Sequence, residues 1–501
     1  MLAHCASHGA LCRVWQRFVA RFVHRMPGST RTVALSLTLP WLLFVAATAG
    51  GGDAPRRPNV VFIFADDLNN DLGCYGDPVV QSPQLDRLAA RGMRFDRAYC
   101  QYPVCNPSRS SVLSGLRTES IGVYDNLTPP RSHRPNVAFL PQWFRQHGYR
   151  TVKVGKVFHT GDAFEDQASW DIDLRETSEA KSPPAAQIVG RQGHGGIILG
   201  VPDEQTWDGY VAHESVTRLE SLVAAEEPFF LAVGFRRPHS PYIAPRAYFD
   251  LYPPDRMPLA ATQPAGVAGP PAIALTYEPG TTPWPANEQQ ATRAAYYASV
   301  SFVDAQVGVV LDALDRLDLW NDSIVLFVSD HGYHLGEHGG LWHKMTLFEE
   351  SARVPLLFAA PGQRAAAGTP ALVELVDIYP TLCELCGLPP PDGLEGTSFA
   401  PLLTEPDRTW KSAAFTVVSR GGGRSAQVPL DPEKLGRSMR TARWRLTEWF
   451  DGSVELYDHD SDPGEMHNLA ADPRYATVRA ELSQALTAGW RGALPTEPDG
   501  R

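Results

Sequence analysis

Three carboxylates follow two apolar runs of the chain, and this pattern is typical of a site for a divalent cation. Asp66 and Asp67 end the first run, and Asp330 ends the second, with His331 directly after it. Carboxylates gathered on one rim repel one another unless a hard cation neutralises them, and oxygen ligands suit Ca²⁺ or Mg²⁺ better than zinc. His331 is the exception, because imidazole is a poor ligand for calcium. Taken alone, Asp66 and Asp67 are equally typical of a helix N-cap, so the metal assignment depends on Asp330.

A cysteine and several basic residues could supply a nucleophile and bind an anion. Cys105, Pro107 and Arg109 form a Cys-x-Pro-x-Arg pattern. A single lysine is usually a solvated surface charge, and a single histidine is more often structural than catalytic. Together with Cys105 and the carboxylates, however, the basic residues form a constellation that favours a catalytic site. The four basic residues in similarly patterned segments are Lys156, His159, His239 and Lys344.

The elements that must position these residues are predicted to be buried parallel strands. Val60–Phe64 and Ile324–Val328 are continuous runs of β-branched and aromatic residues, which is typical of strands buried on both faces. Ligands of open α/β sheets bind beyond the carboxyl ends of the strands, so two such strands could bring the three aspartates to one rim. A further strand is predicted over Phe229–Val233, and helices are predicted over Pro83–Gly92 and Ala294–Leu317.

The chain of 501 residues is long enough for one α/β catalytic domain and a smaller appendage. The catalytic domain is predicted over residues 55–405, with a large central sheet flanked by helices. Short strands follow, including Trp444–Phe450 and Ser453–Tyr457, and then a helix over Tyr475–Trp490. These patterns predict a C-terminal α+β subdomain over residues 410–495 that contains a short antiparallel sheet.

The charge balance argues against one class of partner. The chain has 45 Lys and Arg against 56 Asp and Glu, which gives a formal net charge of -11. An acidic protein of this kind does not bind nucleic acid non-specifically, so no nucleic-acid partner is expected. The same charge means that an anionic substrate must be attracted by a local basic pocket.

The N-terminal segment is predicted to direct export. Arg31 precedes the apolar run Val33–Ala47, and small residues follow, so we expect a signal peptide cleaved near Ala49. An uncleaved anchor helix is the alternative, and the start lies at Met1 or Met26. Because no later segment reads as a membrane span, the mature protein is predicted to be periplasmic or secreted.

Two other patterns leave alternatives open. Cys383-x-x-Cys386 looks like half a zinc site, but it lies in the apolar helical pattern Val373–Gly387 and no second ligand pair follows. Packed thiols or a local disulfide are favoured over metal. The proline-rich segment Pro258–Pro285 is predicted to be a surface insertion near the mouth of the site, with a disordered linker as the alternative.

With these residues the chain resembles the type I sulfatases of the alkaline phosphatase superfamily, most closely the iduronate-2-sulfatase group. The resemblance covers most of residues 58–470 and implies the sulfatase fold. A Cys-x-Pro-x-Arg core is the sequence that sulfatase maturation enzymes recognise before they oxidise the cysteine. The resemblance therefore implies that Cys105 becomes formylglycine (3-oxoalanine), and that a formylglycine-generating or sulfatase-maturating enzyme is a partner.

The resemblance also implies a task for each candidate residue. One Ca²⁺, with Mg²⁺ as the second choice, would bind the modified residue 105 and the side chains of Asp66, Asp67, Asp330 and His331. One hydroxyl of hydrated formylglycine would attack the sulfur, and the other would later allow the sulfate to leave. Arg109 would hold the hydrate, and Lys156 and Lys344 would neutralise the sulfate oxygens. His159 would act as the base. His239 or Lys344 would be the acid that protonates the leaving alcohol.

The implied substrate is a sulfated carbohydrate, such as a 2-sulfated uronic acid, with Trp342 and Arg237 expected at the sugar-binding mouth. Two alternatives remain. One is a phosphate or phosphonate ester hydrolase of the same superfamily, although a one-metal site fits a mono-anionic sulfate better than a phosphate dianion. The other is a non-catalytic carbohydrate-binding protein, which would not need the maturation motif.

Overall fold

An eight-stranded mixed sheet forms the centre of the computed structural model. The strand order is β11-β2-β10-β9-β1-β7-β3-β4. The structure describes residues 57–175, 185–189, 195–276, 284–421 and 427–495, all within one unit that spans Pro55–Arg501. The predicted N-terminal extension and signal peptide, residues 1–49, lie outside the described residues. The domain division at residues 405–410 stays a prediction.

The strands and helices are named here in chain order. The strands are β1 (Asn59–Asp66), β2 (Met93–Tyr99), β3 (Arg150–Gly155), β4 (Ile172–Leu174), β5 (Ala185–Val189), β6 (Gly196–Leu199), β7 (Phe229–Pro238), β8 (Tyr242–Pro245), β9 (Ser323–Ser329), β10 (Arg353–Ala359), β11 (Ala367–Glu374), β12 (Ala413–Gly421), β13 (Asp431–Thr441), β14 (Trp444–Trp449) and β15 (Val454–Asp458). The helices are α1 (Pro83–Arg91), α2 (Cys105–Ser114), α3 (Thr118–Ile121), α4 (Leu140–Gln146), α5 (Trp207–Ala224), α6 (Arg246–Phe249), α7 (Ala286–Arg316), α8 (Glu337–Gly340), α9 (Glu349–Ala352), α10 (Ile378–Leu385) and α11 (Ala476–Ala488).

The two predicted central strands are neighbours, and both are buried on both faces. β1 pairs in parallel with β9 on one side and with β7 on the other. Alternate residues of β1 pack into two separate cores, because successive side chains of a strand point to opposite faces. Val61 and Ile63 join the core that contains α7, whereas Phe62 and Phe64 join the core that contains α2 and α10. The α/β fold with a central sheet between helices is therefore confirmed.

The long helix α7 belongs to the core. It begins eight residues before the predicted start, at Ala286, and it ends at Arg316. Within the described part of the chain it is the one helix with the length and hydropathy of a membrane span, but 89% of its most apolar window is buried in the protein. Burial of this kind identifies a core helix.

A second, antiparallel sheet lies near the C-terminus, in the order β12-β13-β14-β15. The predicted hairpin is its last pair, and the predicted helix is α11. This sheet is tied to the region beside the central sheet by the buried Arg445, which bonds both Glu349 and Glu465. The predicted C-terminal antiparallel sheet is confirmed.

Several local predictions need correction. The apolar pattern that begins at Val373 is the end of β11 followed by a tight turn, and helix α10 begins at Ile378. Cys383 and Cys386 are free and buried, so the packed thiols are observed rather than the disulfide. The described part of the proline-rich segment is a surface connection anchored by Arg420, which donates to the carbonyl of Ile273.

Glu455 gives the C-terminal sheet a pH-dependent stability. Burial raises the pKa of Glu455 to about 7. Hydrogen bonds donated by Trp449 and Tyr457 act in the opposite direction and lower this pKa. Of the two charged groups that face Glu455, Glu465 raises its pKa and His338 lowers it. The pKa of Glu455 in the folded protein lies above its unfolded value of 4.5. The contribution of protonated Glu455 to the free energy of unfolding is therefore fully present below pH 4.5 and is lost as the pH rises through about 7. We expect Glu455→Gln to remove this loss of stability, which is on the order of 1–3 kcal/mol. Denaturant unfolding of the wild type and the variant at pH 5 and pH 8 measures the difference. An equal stability difference between variant and wild type at both pH values would contradict the assignment.

Candidate active site

The predicted acidic residues meet where β1 and β9 end. Asp66 is the last residue of β1, and Asp67 follows with a φ of 65°, a left-handed conformation that is rare outside glycine. The loop is fixed from α7, because the hydroxyl of Tyr296 donates to the Asp67 carbonyl (2.8 Å). A strained residue held by its surroundings is typical of functional sites.

Four side chains at this edge offer metal-ligand atoms that lie within 4.8 Å of one another, namely those of Asp66, Asp67, Cys105 and His331. Asp66 Oδ1 and Asp67 Oδ2 are buried and have no hydrogen-bond partner in the structure. His331 Nδ1 donates to the Gly332 carbonyl (2.9 Å), which leaves Nε2 as the nitrogen that faces Asp67 Oδ1 (3.3 Å) and Cys105 Sγ (3.4 Å). Buried oxygens without partners and a correctly oriented imidazole fit a cation site.

Asp330 lies beside this group but is engaged differently from the other two aspartates. Its Oδ2 accepts a hydrogen bond from Arg109 Nε (2.8 Å), and its Oδ1 accepts from the backbone amides of Asp67 (3.3 Å) and His331 (3.0 Å). Oδ1 is also 3.7 Å from His331 Nε2. Asp330 is therefore within reach of the predicted cation site, and it also fixes the backbone of its neighbours.

Cys105 is the first residue of α2, a helix in which every residue is buried. The backbone amide of Asn106 donates to the Asn126 side chain, and the Asn106 side chain donates to the carbonyls of Asp125 and Thr128. These bonds fix the start of the helix, so the Cys105 side chain points to the carboxylates. Lys344 Nζ lies 3.3 Å from its Sγ.

Arg109 lies one turn further along α2 and is completely buried. Besides Asp330, its guanidinium donates to the carbonyls of Lys156 (2.6 Å), Val157 (3.0 Å) and Ala65 (3.3 Å). In this structure its contacts join the ends of β1, β3 and β9 to α2, the helix that begins at Cys105. Because its guanidinium is hydrogen-bonded on several sides, Arg109 has the surroundings of a positioning residue. Its predicted contact with the modified side chain of residue 105 stays a prediction.

Two lysines neutralise the buried carboxylates. Lys156 forms an ion pair with Asp66 Oδ2, and Lys344 forms one with Asp67 Oδ1 (2.5 Å). Burial alone would raise the pKa of Asp66, but Lys156, His239 and Arg109 outweigh it and hold that pKa well below its usual range. The carboxylates therefore stay ionised and available to a cation.

Lys156 reaches this position because two glycines let its backbone lie close against the neighbouring strand β7. A Cβ on Gly155, which has a φ of +83°, would lie 2.2 Å from the Gly234 carbonyl oxygen. A Cβ on Gly234 would lie 2.0 Å from the Lys156 carbonyl oxygen. Neither clash can be relieved by a side-chain rotation, because both contacts involve backbone atoms.

The two predicted histidines lie at the mouth of this site and line a cavity of about 410 Å³ together with Asp66 and Lys156. Burial and, second to it, the charge of the neighbouring Lys156 lower the pKa of His159 to about 3, so His159 is neutral. His239 Nδ1 donates to the Ser240 carbonyl (2.6 Å), and Nε2 is 3.9 Å from Asp67 Oδ2. The structure brings all of the predicted site residues together around one end of the sheet.

The outer wall of the cavity agrees with the sequence prediction at Arg237 and differs from it at Trp342. Arg237 is buried, and its guanidinium donates to the carbonyls of His239 and Pro241, so it supports the backbone. Trp342 is in the core, where it stacks on Trp284 with ring centroids 4.9 Å apart. Arg237 nevertheless lines the cavity, as predicted, and Trp207 and Arg236 line it as well. The sequence could have indicated Arg236, because it immediately precedes Arg237 in the same strand.

The structure is a central mixed α/β sheet with a buried cysteine, carboxylates and lysines gathered at its strand ends. The sulfatase family model matches residues 58–388, and a model described as the C-terminal part of N-sulphoglucosamine sulphohydrolase matches residues 336–490. The chain therefore belongs to the sulfatase family, whose members hydrolyse sulfate esters.

Individual relatives agree with this assignment. Mouse (Mus musculus) iduronate 2-sulfatase is 33% identical, over 91% of the chain and 99% of the relative. Choline-sulfatase of Rhizobium meliloti is 30% identical, over 85% of each protein. Among solved structures, the phosphonate monoester hydrolase of Agrobacterium radiobacter has a TM-score of 0.74 at 24% identity, over 86% of the chain and 95% of that structure. This last similarity concerns the fold alone.

Proposed function

We propose that the chain is an exported, formylglycine-dependent sulfatase that hydrolyses the sulfate ester of a 2-sulfated uronic acid. The observation that carries the proposal is the cavity at the end of β1, where Asp66, a member of the thiol-carboxylate group, and Lys156 share one lining with Arg236 and Trp207. The similarity to iduronate 2-sulfatase over 91% of the chain supports the same substrate class.

A single Ca²⁺ is the cation we propose, held by Asp66, Asp67, Asp330, His331 and residue 105. The predominance of carboxylate oxygen favours a hard cation, and Mg²⁺ is the second choice. When bound, the cation would polarise a sulfate oxygen and lower the pKa of a coordinated hydroxyl. Oxidation of Cys105 to formylglycine, followed by addition of water to that aldehyde, would supply two hydroxyls on one carbon, one to attack the sulfur and one to allow the sulfate to leave.

The lysines would bind the transferring sulfate. Lys344 lies between Asp67 and the Cys105 side chain, and Lys156 lies at the cavity beside Asp66. Burial opposes the charge of Lys344, but the nearby Asp67, Cys105 and Asp66 side chains outweigh it and raise the pKa of Lys344 well above the usual value. Lys344 thus keeps its proton and stabilises negative charge as it builds on the sulfate oxygens.

The histidines would move the protons. Because Lys344 holds its proton so firmly, we favour His239 as the acid that protonates the leaving alcohol, and its partial exposure at the cavity supports this role. His159, which is neutral, would accept a proton when the sulfate leaves residue 105. Both side chains face the same cavity, so one bound ester would contact each of them.

Maturation would have to precede folding. Cys105 is 1% exposed and Arg109 is completely buried, so an enzyme cannot reach the Cys-x-Pro-x-Arg core in the folded chain. The maturation enzyme would therefore act on the unfolded chain. Export through the segment before Ala49 rests on the sequence alone, and N-terminal sequencing of the protein from each cell fraction tests it.

A panel of defined sulfated mono- and disaccharides tests the substrate. We expect faster turnover of 2-sulfated uronic acids than of neutral 6-sulfated sugars, because Arg236 would pair with the carboxylate. Arg236→Ala should reduce this preference by roughly 10-fold, about 1.4 kcal/mol, whereas the same change at the exposed Arg364 should leave it unchanged. Equal rates on both sugar classes would reject the uronate while leaving the sulfatase assignment intact.

Matched aryl sulfate and aryl phosphate esters test the reaction class in the same assay. We expect the sulfate ester to be preferred, because one proposed cation and two lysines would neutralise a mono-anionic group better than a phosphate dianion. Faster hydrolysis of the phosphate ester would favour a phosphate or phosphonate ester hydrolase instead.

A further inference from the structure

A second group of metal-ligand atoms lies on the loop that follows the candidate active site. His334, His338 and Glu350 each offer one ligand atom, and these atoms lie within 4.8 Å of one another. His334 is completely buried, His338 is 5% exposed, and Glu350 is partly buried. None of the three contributes to the proposed hydrolysis.

The His334 ring has an unsatisfied nitrogen that points into this group. Its Nε2 is 2.6 Å from the Thr346 hydroxyl, but its buried Nδ1 has no hydrogen-bond partner in the structure. The nearest groups to Nδ1 are Glu337 Oε2 at 3.7 Å and Glu350 Oε2 at 3.9 Å, which is too far for a hydrogen bond. In either tautomer Nδ1 is a buried polar atom without a partner, and such atoms require an explanation.

The other two ligand atoms are also correctly oriented. His338 Nε2 is 3.3 Å from Glu350 Oε2, and the His338 ring stacks on Phe348 with centroids 3.8 Å apart. His338 has a φ of 50° and a ψ of 43°, a strained conformation that directs its ring inward. Ligands about 2.0–2.1 Å from a tetrahedral metal lie about 3.3–3.4 Å from one another, so small side-chain movements would complete the site.

We propose that His334 Nδ1, His338 Nε2 and Glu350 Oε2 bind a structural Zn²⁺. Two imidazoles and one carboxylate suit zinc and not calcium, so this site differs in kind from the carboxylate-rich site. Glu337 Oε2, which also accepts from the Leu335 amide (2.5 Å), is near enough to the His334 ring to be the fourth ligand.

The metal would fix the segment that carries Lys344. His334 contacts both sides of that lysine, because its amide donates to the His343 carbonyl (3.0 Å) and its ring contacts the Thr346 hydroxyl. Glu350 comes from α9, whose Glu349 bonds Arg445 of the C-terminal sheet. Zinc would therefore join the active-site loop to the helix that anchors this sheet.

Zinc content and zinc affinity of the full chain test the proposal. We expect elemental analysis to find one zinc per chain after purification without added metal, and the chelated protein to take up one zinc and to unfold at a higher temperature with it. Glu350→Gln and His334→Asn should each weaken zinc binding by at least about 100-fold, since even outer-shell partners of a metal typically contribute about 10–100-fold.

Two controls separate this site from other sources of zinc. Asp66→Asn removes a ligand of the candidate active site and should retain the zinc, and His213→Asn removes an exposed histidine and should retain it as well. A wild-type chain that takes up no zinc would overturn the proposal whether or not the variants fold. Zinc retained in Glu350→Gln but lost in Asp66→Asn would also overturn it.

Discussion

Cys105→Ser is expected to lose turnover by about 10⁴-fold or more and to accumulate a sulfate ester on the introduced hydroxyl. A single hydroxyl can attack the sulfur, but it has no second hydroxyl on the same carbon through which to expel the sulfate. Lys344, 3.3 Å from Sγ in the wild type, would remain in place to bind the trapped sulfate. Peptide mass spectrometry after incubation with substrate should show a mass gain of one SO₃ group on the peptide that contains position 105.

The matched control is Cys100→Ala. Cys100 is also buried and free, five residues earlier, but its nearest polar contact is the Ser351 carbonyl, and it is not part of the site. This variant should keep its turnover within a few-fold of the wild type. The proposal would be rejected if active wild-type enzyme contained position 105 only as unmodified thiol, or if Cys105→Ser turned over at the wild-type rate.

Asp67→Asn is expected to lower turnover by roughly 10³-fold, because metal-ion catalysis contributes several kcal/mol of charge stabilisation. The substitution removes one anionic ligand, and it leaves the buried Lys344 without its ion-pair partner at 2.5 Å. Chelation should lower both the turnover and the Tm of the wild type, and added Ca²⁺ should restore them, since a cation bound only by the folded state stabilises it. The variant should respond to neither treatment.

Asp71→Asn is the matched control for this experiment. Asp71 lies four residues further along the same loop, and its carboxylate accepts from the Tyr297 hydroxyl (3.2 Å) instead of facing the cation site. This variant should keep the turnover and the chelator sensitivity of the wild type. If Asp67→Asn retained a chelator-sensitive activity, or if the native metal of the carboxylate site were zinc, the assignment of a calcium site there would fail.

Much of the fold followed from local patterns. The runs that form β1 and β9 are apolar on both faces, which is typical of strands inside a parallel sheet, so the meeting of their aspartates at one rim could be predicted, whereas their adjacency was found only in the structure. The residues Cys105 and Lys344 could be named because their types fit the chemistry, although 239 positions separate them.

Other parts of the site depend on contacts that no local pattern contains. Arg237 and Trp342 have the residue types of a sugar-binding mouth, yet one is bonded to backbone carbonyls and the other is stacked in the core. Arg237 still lines the cavity, together with Arg236 and Trp207, whereas Trp342 does not.

The sequence by itself determined the residue types of the site, from which a maturation motif, carboxylates for a hard cation and lysines for an anion were predicted. Only the tertiary structure decided how each side chain is engaged. Arg109 bonds three carbonyls and Asp330, and His334 has a buried nitrogen without a partner near Glu350. The physical reason is that hydrogen bonding and burial are set by neighbours distant in sequence, whereas the residue type fixes only which bonds a side chain can make.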